Sequence, residues 1–423
     1  MYDLAIVGAG PAGLMASKTA AELGLKVMLI EKKKDISKIT RACCQQLIMD
    51  EGFQGDTLKI QDNTIVFTKN GFNVSYNGPL VPIVDKYFVS PAGKKVHFAY
   101  DDRRPIVMKF DKGMLLQSLL DECINLGVEV RCDVSISSAN DNGKSVELNL
   151  KSCSSHERVQ AKKVVIADGV NAPTAEKLGM NKNRTNYAKV LCTISVLEGV
   201  SETDSHTITS FMGSAYQSFA PVILGQSAEK EDLRYLVLIG NNTKKPEQIY
   251  RNLITKSPLA HMFSSARIIK KTACMVTAYS PLNIPFQDNV LVVGDAAAYV
   301  EVEVQGALAC GFQAGHAVVK ELNGSEGFEQ YTRWWQNSFE FNSDDYLQVA
   351  QGFALVPTYL DDELDYLFAL IEDETLQGTF SQYVTPKLMW GAILRHRDRI
   401  IKERPEIHEK IKNNGRLSLS NVF

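Results

Sequence analysis

The stretch that most constrains this chain is its beginning. An apolar run, Leu4 to Val7, reads as a buried strand and leads straight into Gly8-Ala9-Gly10-Pro11-Ala12-Gly13. Helical spacing follows to about Leu23, and a second apolar run, Val27 to Ile30, ends on Glu31. Strand, glycine-rich turn, helix, strand and terminal acid in this order form the fingerprint of a dinucleotide-binding βαβ unit. Each glycine has a separate task. Gly8 makes the tight turn, Gly10 lets the backbone approach a pyrophosphate, and Gly13 lets the helix lie close on the strand. The helix that opens at Pro11 and Ala12 offers free N–H groups and a positive dipole end to the phosphates. Glu31 is placed to accept hydrogen bonds from an adenosine ribose, and its charge repels a 2′-phosphate. NADP is therefore disfavoured in this pocket, while FAD and NAD remain.

At 423 residues the chain has room for two to three domains. Its 45% hydrophobic and 22% charged residues are those of an ordinary globular protein, and a net charge of -3 argues against nucleic acid as a partner. No apolar run is long enough to span a membrane. The first strand begins at residue 2, so no cleavable leader is expected. Eight scattered cysteines without metal-ligand spacing suggest reduced thiols, no bound metal and a cytoplasmic location.

Farther on, short alternating runs from about Thr64 to Tyr100 (TIVFT, NVSYN, KYFVS, KVHFAY), separated by Asn-Gly and Pro-Ala-Gly turns, read as antiparallel strands. Asp111 to Leu126 returns to helical spacing, with Leu115, Leu119, Leu120 and Ile124 on one face. A strand from Lys163 ends on Asp168-Gly169, a strand-rich region follows, and a strand from Val290 ends on Gly294-Asp295. A helix is expected from about Gly306 to Leu322, and the chain beyond Gly324 reads as helical. The expected class is thus α/β: a Rossmann-like nucleotide domain (1–63, 101–175 and 275–325) interrupted by an antiparallel-sheet substrate domain (64–100 and 176–274). A helical C-terminal region, 326–423, completes it.

Three strand-end turns in the order GAGPAG, IADG and VVGDAA carry a family resemblance. The sequence resembles the FAD-dependent oxidoreductases of the para-hydroxybenzoate hydroxylase fold, and most closely the geranylgeranyl reductase group. The resemblance implies FAD extended across the sheet, with Gly8, Gly10 and Gly13 at the pyrophosphate and Glu31, with Lys32 beside it, at the adenosine ribose. It implies Asp168 and Gly169 near the pyrophosphate, and Asp295, after Gly294, on the ribityl chain. The helix start at Gly306 and Ala307 would face the flavin pyrimidine edge, where reduced flavin gathers negative charge that a helix N-terminus stabilises.

The group's members usually place Cys-Gly-Gly close to the flavin, and aromatic hydroxylases have Arg-Ala-Gly there. This chain reads Arg41-Ala42-Cys43-Cys44-Gln45-Gln46, a mixture of the two. Arg41 and Ala42 would line the cofactor, and Cys43 or Cys44 is a candidate proton donor. Both also suit a buried packing role, common for free cysteine. Lipid-reducing members carry Pro-x-x-Tyr-x-Trp-x-Phe-Pro. The nearest match here is Gly213 to Pro221, which keeps Tyr216 and the last proline but has Ser218 and Ala220 at the aromatic positions. Tyr216 is a third catalytic candidate, weighed against an ordinary strand tyrosine. Alternation puts Glu301 and Glu303 on one side, where two acids near a flavin would raise each other's pKa. A solvent-facing edge is the plainer reading of that pair.

The leading functional reading is a reductase delivering hydride from FADH2 to a carbon–carbon double bond of a small or isoprenoid-type substrate. The alternatives are an FAD monooxygenase of the aromatic hydroxylase type and a flavin electron-transfer protein. No second glycine fingerprint marks a nicotinamide domain. The reductant is then NAD(P)H visiting transiently or a ferredoxin-type protein. The basic stretch Arg395 to Lys412 allows peripheral contact with an anionic membrane, although a solvated helix explains it equally simply.

Overall fold

The computed structural model describes residues 1–153, 155–351 and 355–413. The expectation of helix at 352–354 and 414–423 lies outside the described residues. Tyr2–Val7 pairs in parallel with Val27–Ile30 on one side and with the His156–Ile166 strand on the other. Val290–Val292 pairs in parallel with the last residues of His156–Ile166. The strands that end on Gly8, on Asp168-Gly169 and on Gly294-Asp295 are therefore successive neighbours pointing the same way. Their turns open side by side at the carboxyl edge, where sheets of this kind bind nucleotides.

The Pro11–Glu22 helix covers this sheet, and the Glu303–Leu322 helix packs along it. The approach is close because Gly311 and Gly315 face it: a Cβ on Gly315 would lie 2.7 Å from Thr19 Cβ. Buried Ala12, Ala16 and Ala20 complete the small-residue contact. Gly311 sits opposite Ala12, so the first turns of the Glu303–Leu322 helix, roughly 12 Å of it, project past the fingerprint toward Ile48, whose carbonyl accepts Gln305 Nε2–H at 3.0 Å. The helix begins at Glu303 rather than near Gly306 as the pattern suggested. Gly306 lies one turn inside, where a Cβ would meet Phe339 and Val302 at 3.1 Å.

The second sheet has eight strands, mostly antiparallel, in the order Arg267–Tyr279, Asn186–Glu198, Arg234–Gly240, Val222–Gln226, Thr207–Phe211, Asp85–Val89, Lys95–Ala99 and Thr375–Gln377. The strands expected between 64 and 100 divide between two destinations. Asp85–Val89 and Lys95–Ala99 join this sheet, whereas Thr64–Phe67 and Phe72–Ser75 pair with Leu58–Gln61. The aromatic faces of that small sheet explain the split. Phe67 and Phe72 stack at 4.1 Å, and Phe72 stacks on Phe312 of the Glu303–Leu322 helix at 4.5 Å.

A third small sheet, Gln46–Ile48 with Val107–Phe110 and Leu80–Ile83, joins the two large ones. Its Ile48, Ile83 and Val107 pack on Ile194, Ile208 and Val237 of the large sheet's inner face. Leu224, Leu236 and Leu238, alternating with those residues, point to the other face and its separate core. The Lys112–Asn125 helix is capped by Asp111, whose Oδ1 accepts Met114 N–H at 3.1 Å. Its buried row is Leu115, Leu119 and Cys123, at i, i+4 and i+8; Ile124, expected in that row, is exposed. Cys123 takes the place because its Sγ donates to the Leu14 carbonyl of the first helix at 3.3 Å.

Beyond Gly324 the described chain is mostly helical, with one exception: Thr375–Gln377 adds a parallel edge strand to Lys95–Ala99. The helices pack Leu364, Leu367, Phe368, Met389 and Ile393 against Phe88 and Phe98. Of the two adjacent tryptophans, Trp335 is the fully buried one.

Candidate flavin site

The fingerprint residues behave as their positions demand. Gly8 has φ 101°, and a Cβ there would collide with the Ala167 carbonyl of the neighbouring strand. A Cβ on Gly13 would collide with the Gly8 carbonyl. Gly10 differs: nothing lies within 4 Å of the Cβ it lacks. The open space sits at the N-terminus of the Pro11–Glu22 helix, whose Ncap, Gly10, provides no side-chain cap. The uncapped N–H groups beside it suit an anion.

Glu31 is buried, and each of its oxygens accepts one backbone N–H: Oε2 from Ala9 at 2.7 Å and Oε1 from Lys33 at 2.8 Å. Both retain lone pairs for ribose hydroxyls. Asp168 Oδ2 accepts Thr174 N–H at 2.8 Å, while Oδ1 is buried without a partner. Burial raises the Asp168 carboxyl above its ordinary value, against the nearby charge of exposed Lys32. An open cradle at a helix start and an orphaned buried acceptor are the features that a bound dinucleotide would complete.

Toward the second sheet the site becomes crowded with ionisable groups. Arg41 reaches back to the second turn, its Nη1 2.7 Å from where a Cβ on Gly169 would lie. Lys112 Nζ lies 3.6 Å from Cys43 Sγ. Burial pulls Lys112 down, but the charges of Cys43 and Asp295 outweigh it and hold it above the usual lysine value. Lys109 is buried, donates to the Cys44 carbonyl and stands over the Tyr235 ring at 3.8 Å. Burial pulls Lys109 down to about 8 and pushes the Cys44 thiol up.

Opposite these cations stand three carboxyls. Asp295 Oδ1 accepts Val302 N–H at 2.9 Å, and burial raises Asp295. Glu301 is exposed to solvent, yet the protein crowded around it first, then Asp295, push it up to about 7. Glu303 is pushed well up by burial, then by Glu301 and Cys43. Glu301 keeps the solvent-facing position expected of the pair, while Glu303 is half-buried. The loop holding them is strained, since Val300 and Glu303 adopt φ of 61° and 59°, a region unfavourable for β-branched valine above all.

The structure thus brings Arg41, Ala42, Cys43, Cys44, Asp168, Gly169, Gly294 and Asp295 to one edge of the first sheet. It does not bring Tyr216 there. Tyr216 is 1% exposed and packs with Phe211 and Leu236 in the core on the opposite face of the second sheet from Cys192. Gly306 and Ala307 are buried inside the helix, and the N–H groups at its start belong to residues nearer Glu303. Sequence reasoning missed Lys109, Lys112, Cys192 and Cys274. A lysine inside the otherwise apolar Val107–Phe110 strand was a readable signal for the first. The cysteines meet only through long-range pairing, which leaves no local trace.

The FAD binding domain family matches residues 1–307. The digeranylgeranylglycerophospholipid reductase of Methanococcus vannielii is 26% identical over 356 residues, which cover 81% of this chain and 85% of that protein. A geranylgeranyl bacteriochlorophyll reductase-like protein from Thermoplasma acidophilum shares the fold with a TM-score of 0.72 at 18% identity, covering 98% of this chain and 99% of that one. The p-nitrophenol 4-monooxygenase of Pseudomonas putida also shares it, with a TM-score of 0.64 at 14% identity over 94% of this chain and 98% of that one. The fold alone therefore does not choose between reductase and monooxygenase, and the similarity to reductases in sequence favours the former. The chain belongs to the FAD binding domain family, and it is an FAD-dependent oxidoreductase resembling the geranylgeranyl reductase group.

Proposed function

We propose that the protein is a reductase that saturates a carbon–carbon double bond of an isoprenoid-type or other small unsaturated substrate. The observation that carries this reading is the Glu301 carboxyl, in the strained loop after the third strand-end turn, which its surroundings and the neighbouring Asp295 push up to about 7. Adding hydride to a double bond requires a proton at the adjacent carbon, and a carboxyl poised near the working pH supplies one efficiently. Bound FAD would furnish the hydride. The chain's own residues do the rest. The fingerprint turn and Asp168 hold the nucleotide, Asp295 fixes the start of the Glu303–Leu322 helix, and Glu301 donates the proton. Cys43, paired with Lys112, is the second candidate donor.

Partly buried Cys192, Ile223, Ile239 and Phe380 border the apolar core of the sheet's inner face, a surface that suits an isoprenoid chain. The relatives named digeranylgeranylglycerophospholipid reductase support a lipid-like substrate. Among the described residues no helix is long and apolar enough to cross a membrane, so such a substrate would be met by peripheral contact. For electron supply, an open cleft of about 660 Å³, lined in part by Lys38, Thr40, Gln45, Lys270 and Thr272, borders the Arg41–Gln46 segment. It is the approach offered to NAD(P)H or to a small ferredoxin-type protein.

The test is anaerobic incubation of the reduced, FAD-loaded protein with geranylgeranyl lipids and smaller unsaturated acceptors, read by product mass. Gain of two hydrogens per reduced double bond supports the reading. Products that instead gain oxygen on re-aeration would replace it with the monooxygenase alternative.

A further inference from the structure

Cys192 and Cys274 are direct partners across the antiparallel ladder between Asn186–Glu198 and Arg267–Tyr279. Their side chains are near enough to shift each other's ionisation. Residues opposite one another in such a ladder hold their Cα atoms about 4.5–5.5 Å apart. That lies within the roughly 4.4–6.8 Å that a disulfide bridges, so closure needs side-chain rotation and no backbone movement. Both residues are half-buried, open to a small molecule. Neither donates a proton or hydride in the reaction proposed above, although Cys192 borders the apolar surface.

The surroundings make the two sulfurs unequal. Cys274 lies within reach of the Arg41 charge, and its Sγ donates to the Ala42 carbonyl at 3.9 Å. The neighbouring Cys192, with the Arg41 charge, pulls Cys274 below the usual thiol value against the effect of burial. Cys274 and burial push Cys192 up. Two cysteines facing each other across one ladder, the one beside Arg41 the more acidic, are the arrangement of an attacking and a resolving thiol. Among the described residues no three His, Cys, Asp or Glu side chains converge as metal ligands.

We propose that Cys192 and Cys274 are a modification site, a dithiol that closes to a reversible disulfide by exchange with a low-molecular-weight disulfide at the wall of the flavin site. The Cys274 thiolate attacks one sulfur of R–S–S–R, forms a Cys274–S–S–R bond and releases one thiolate. Cys192 then gives up its proton, attacks Cys274 Sγ and displaces the second. Two protein thiols and one R–S–S–R become one protein disulfide and two R–SH. The electron pair moves from protein sulfur to the small disulfide. Closure ties the edge strand to its neighbour and removes the sulfur anion from Arg41.

The test equilibrates the full-length, FAD-loaded protein with reduced and oxidised glutathione at stepped ratios, blocks free thiols with N-ethylmaleimide, and maps peptides without reduction. The expected result is a Cys192–Cys274 linked peptide pair that rises with oxidised glutathione and disappears when the ratio is reversed. Cys192→Ser should instead stop at a glutathione adduct on Cys274. Full alkylation of both cysteines at every ratio, or bridges that use Cys43 or Cys44 instead, would overturn the proposal. The wild-type map decides the question even if a variant folds poorly. The exchange involves no unsaturated substrate, so its failure is separate from failure of the reductase reading.

Discussion

Asp295 accepts the backbone N–H of Val302 at 2.9 Å, so the third strand-end turn holds the start of the helix that projects over the site. The bond spans the strained loop carrying Val300 and Glu301. Asp295→Ala should leave that N–H orphaned and lower stability by about 1–3 kcal/mol, whereas Asp295→Asn, which keeps an acceptor, should lose much less. Thermal unfolding of the FAD-free protein measures the difference. Equal losses would mean that the bond does not fix the loop.

Gly10 and Gly13 should fail in different ways. Gly13→Ala drives a methyl into the Gly8 carbonyl, and overpacking against backbone should lower stability by about 3 kcal/mol or lose the fold. Gly10→Ala fills open space, so its melting temperature should hold. FAD affinity should fall roughly tenfold to a hundredfold, as expected for about 1.5–3 kcal/mol of charge-assisted hydrogen bonding lost at the pyrophosphate. Paired melting and FAD titration separate the two effects.

The Glu301 carboxyl has a folded value near 7, above its unfolded 4.5. The folded state therefore binds more protons than the unfolded state between those values, and stability should fall as pH rises from about 4.5 to about 7. Glu301→Gln should flatten that part of the curve, measured by denaturant unfolding across pH. In turnover the same variant should lower the rate and abolish a basic limb near pH 7. A variant with the wild-type rate profile would remove Glu301 from the chemistry.

Lys86 ties the C-terminal region to the large sheet. It is buried, and its Nζ donates to the Thr379 carbonyl at 2.7 Å and to Thr385 Oγ1 at 2.8 Å. Burial pulls its folded value to about 7, below the unfolded 10.5. The folded state sheds its proton first, so stability should rise as pH climbs from about 7 toward 10.5. Lys86→Met should erase that rise. Denaturant unfolding at stepped alkaline pH is the check.

The first sheet was readable because its signals are local. Each fingerprint turn follows directly on an apolar strand, and parallel pairing places the three side by side. The helix expected from about Gly306 starts one turn earlier, at Glu303, and Gly306 lies inside it in contact with Phe339. Tyr216 drew attention through a partial motif, but strand alternation carries its neighbours to the far face. Lys109, Lys112 and the Cys192–Cys274 pair acquire meaning only when strands distant in sequence meet. The acid pair was visible as residues, yet the groups that shift it include Cys43 and Cys274, which come from segments far off in sequence.

The most direct test of the reductase account is stopped-flow reoxidation of the reduced, FAD-loaded protein. Anaerobic mixing with a geranylgeranyl-type acceptor should restore the oxidised flavin spectrum, with one double bond saturated per flavin, far faster than oxygen does alone. Reoxidation only by oxygen, with a hydroxylated product and no saturated one, would contradict it.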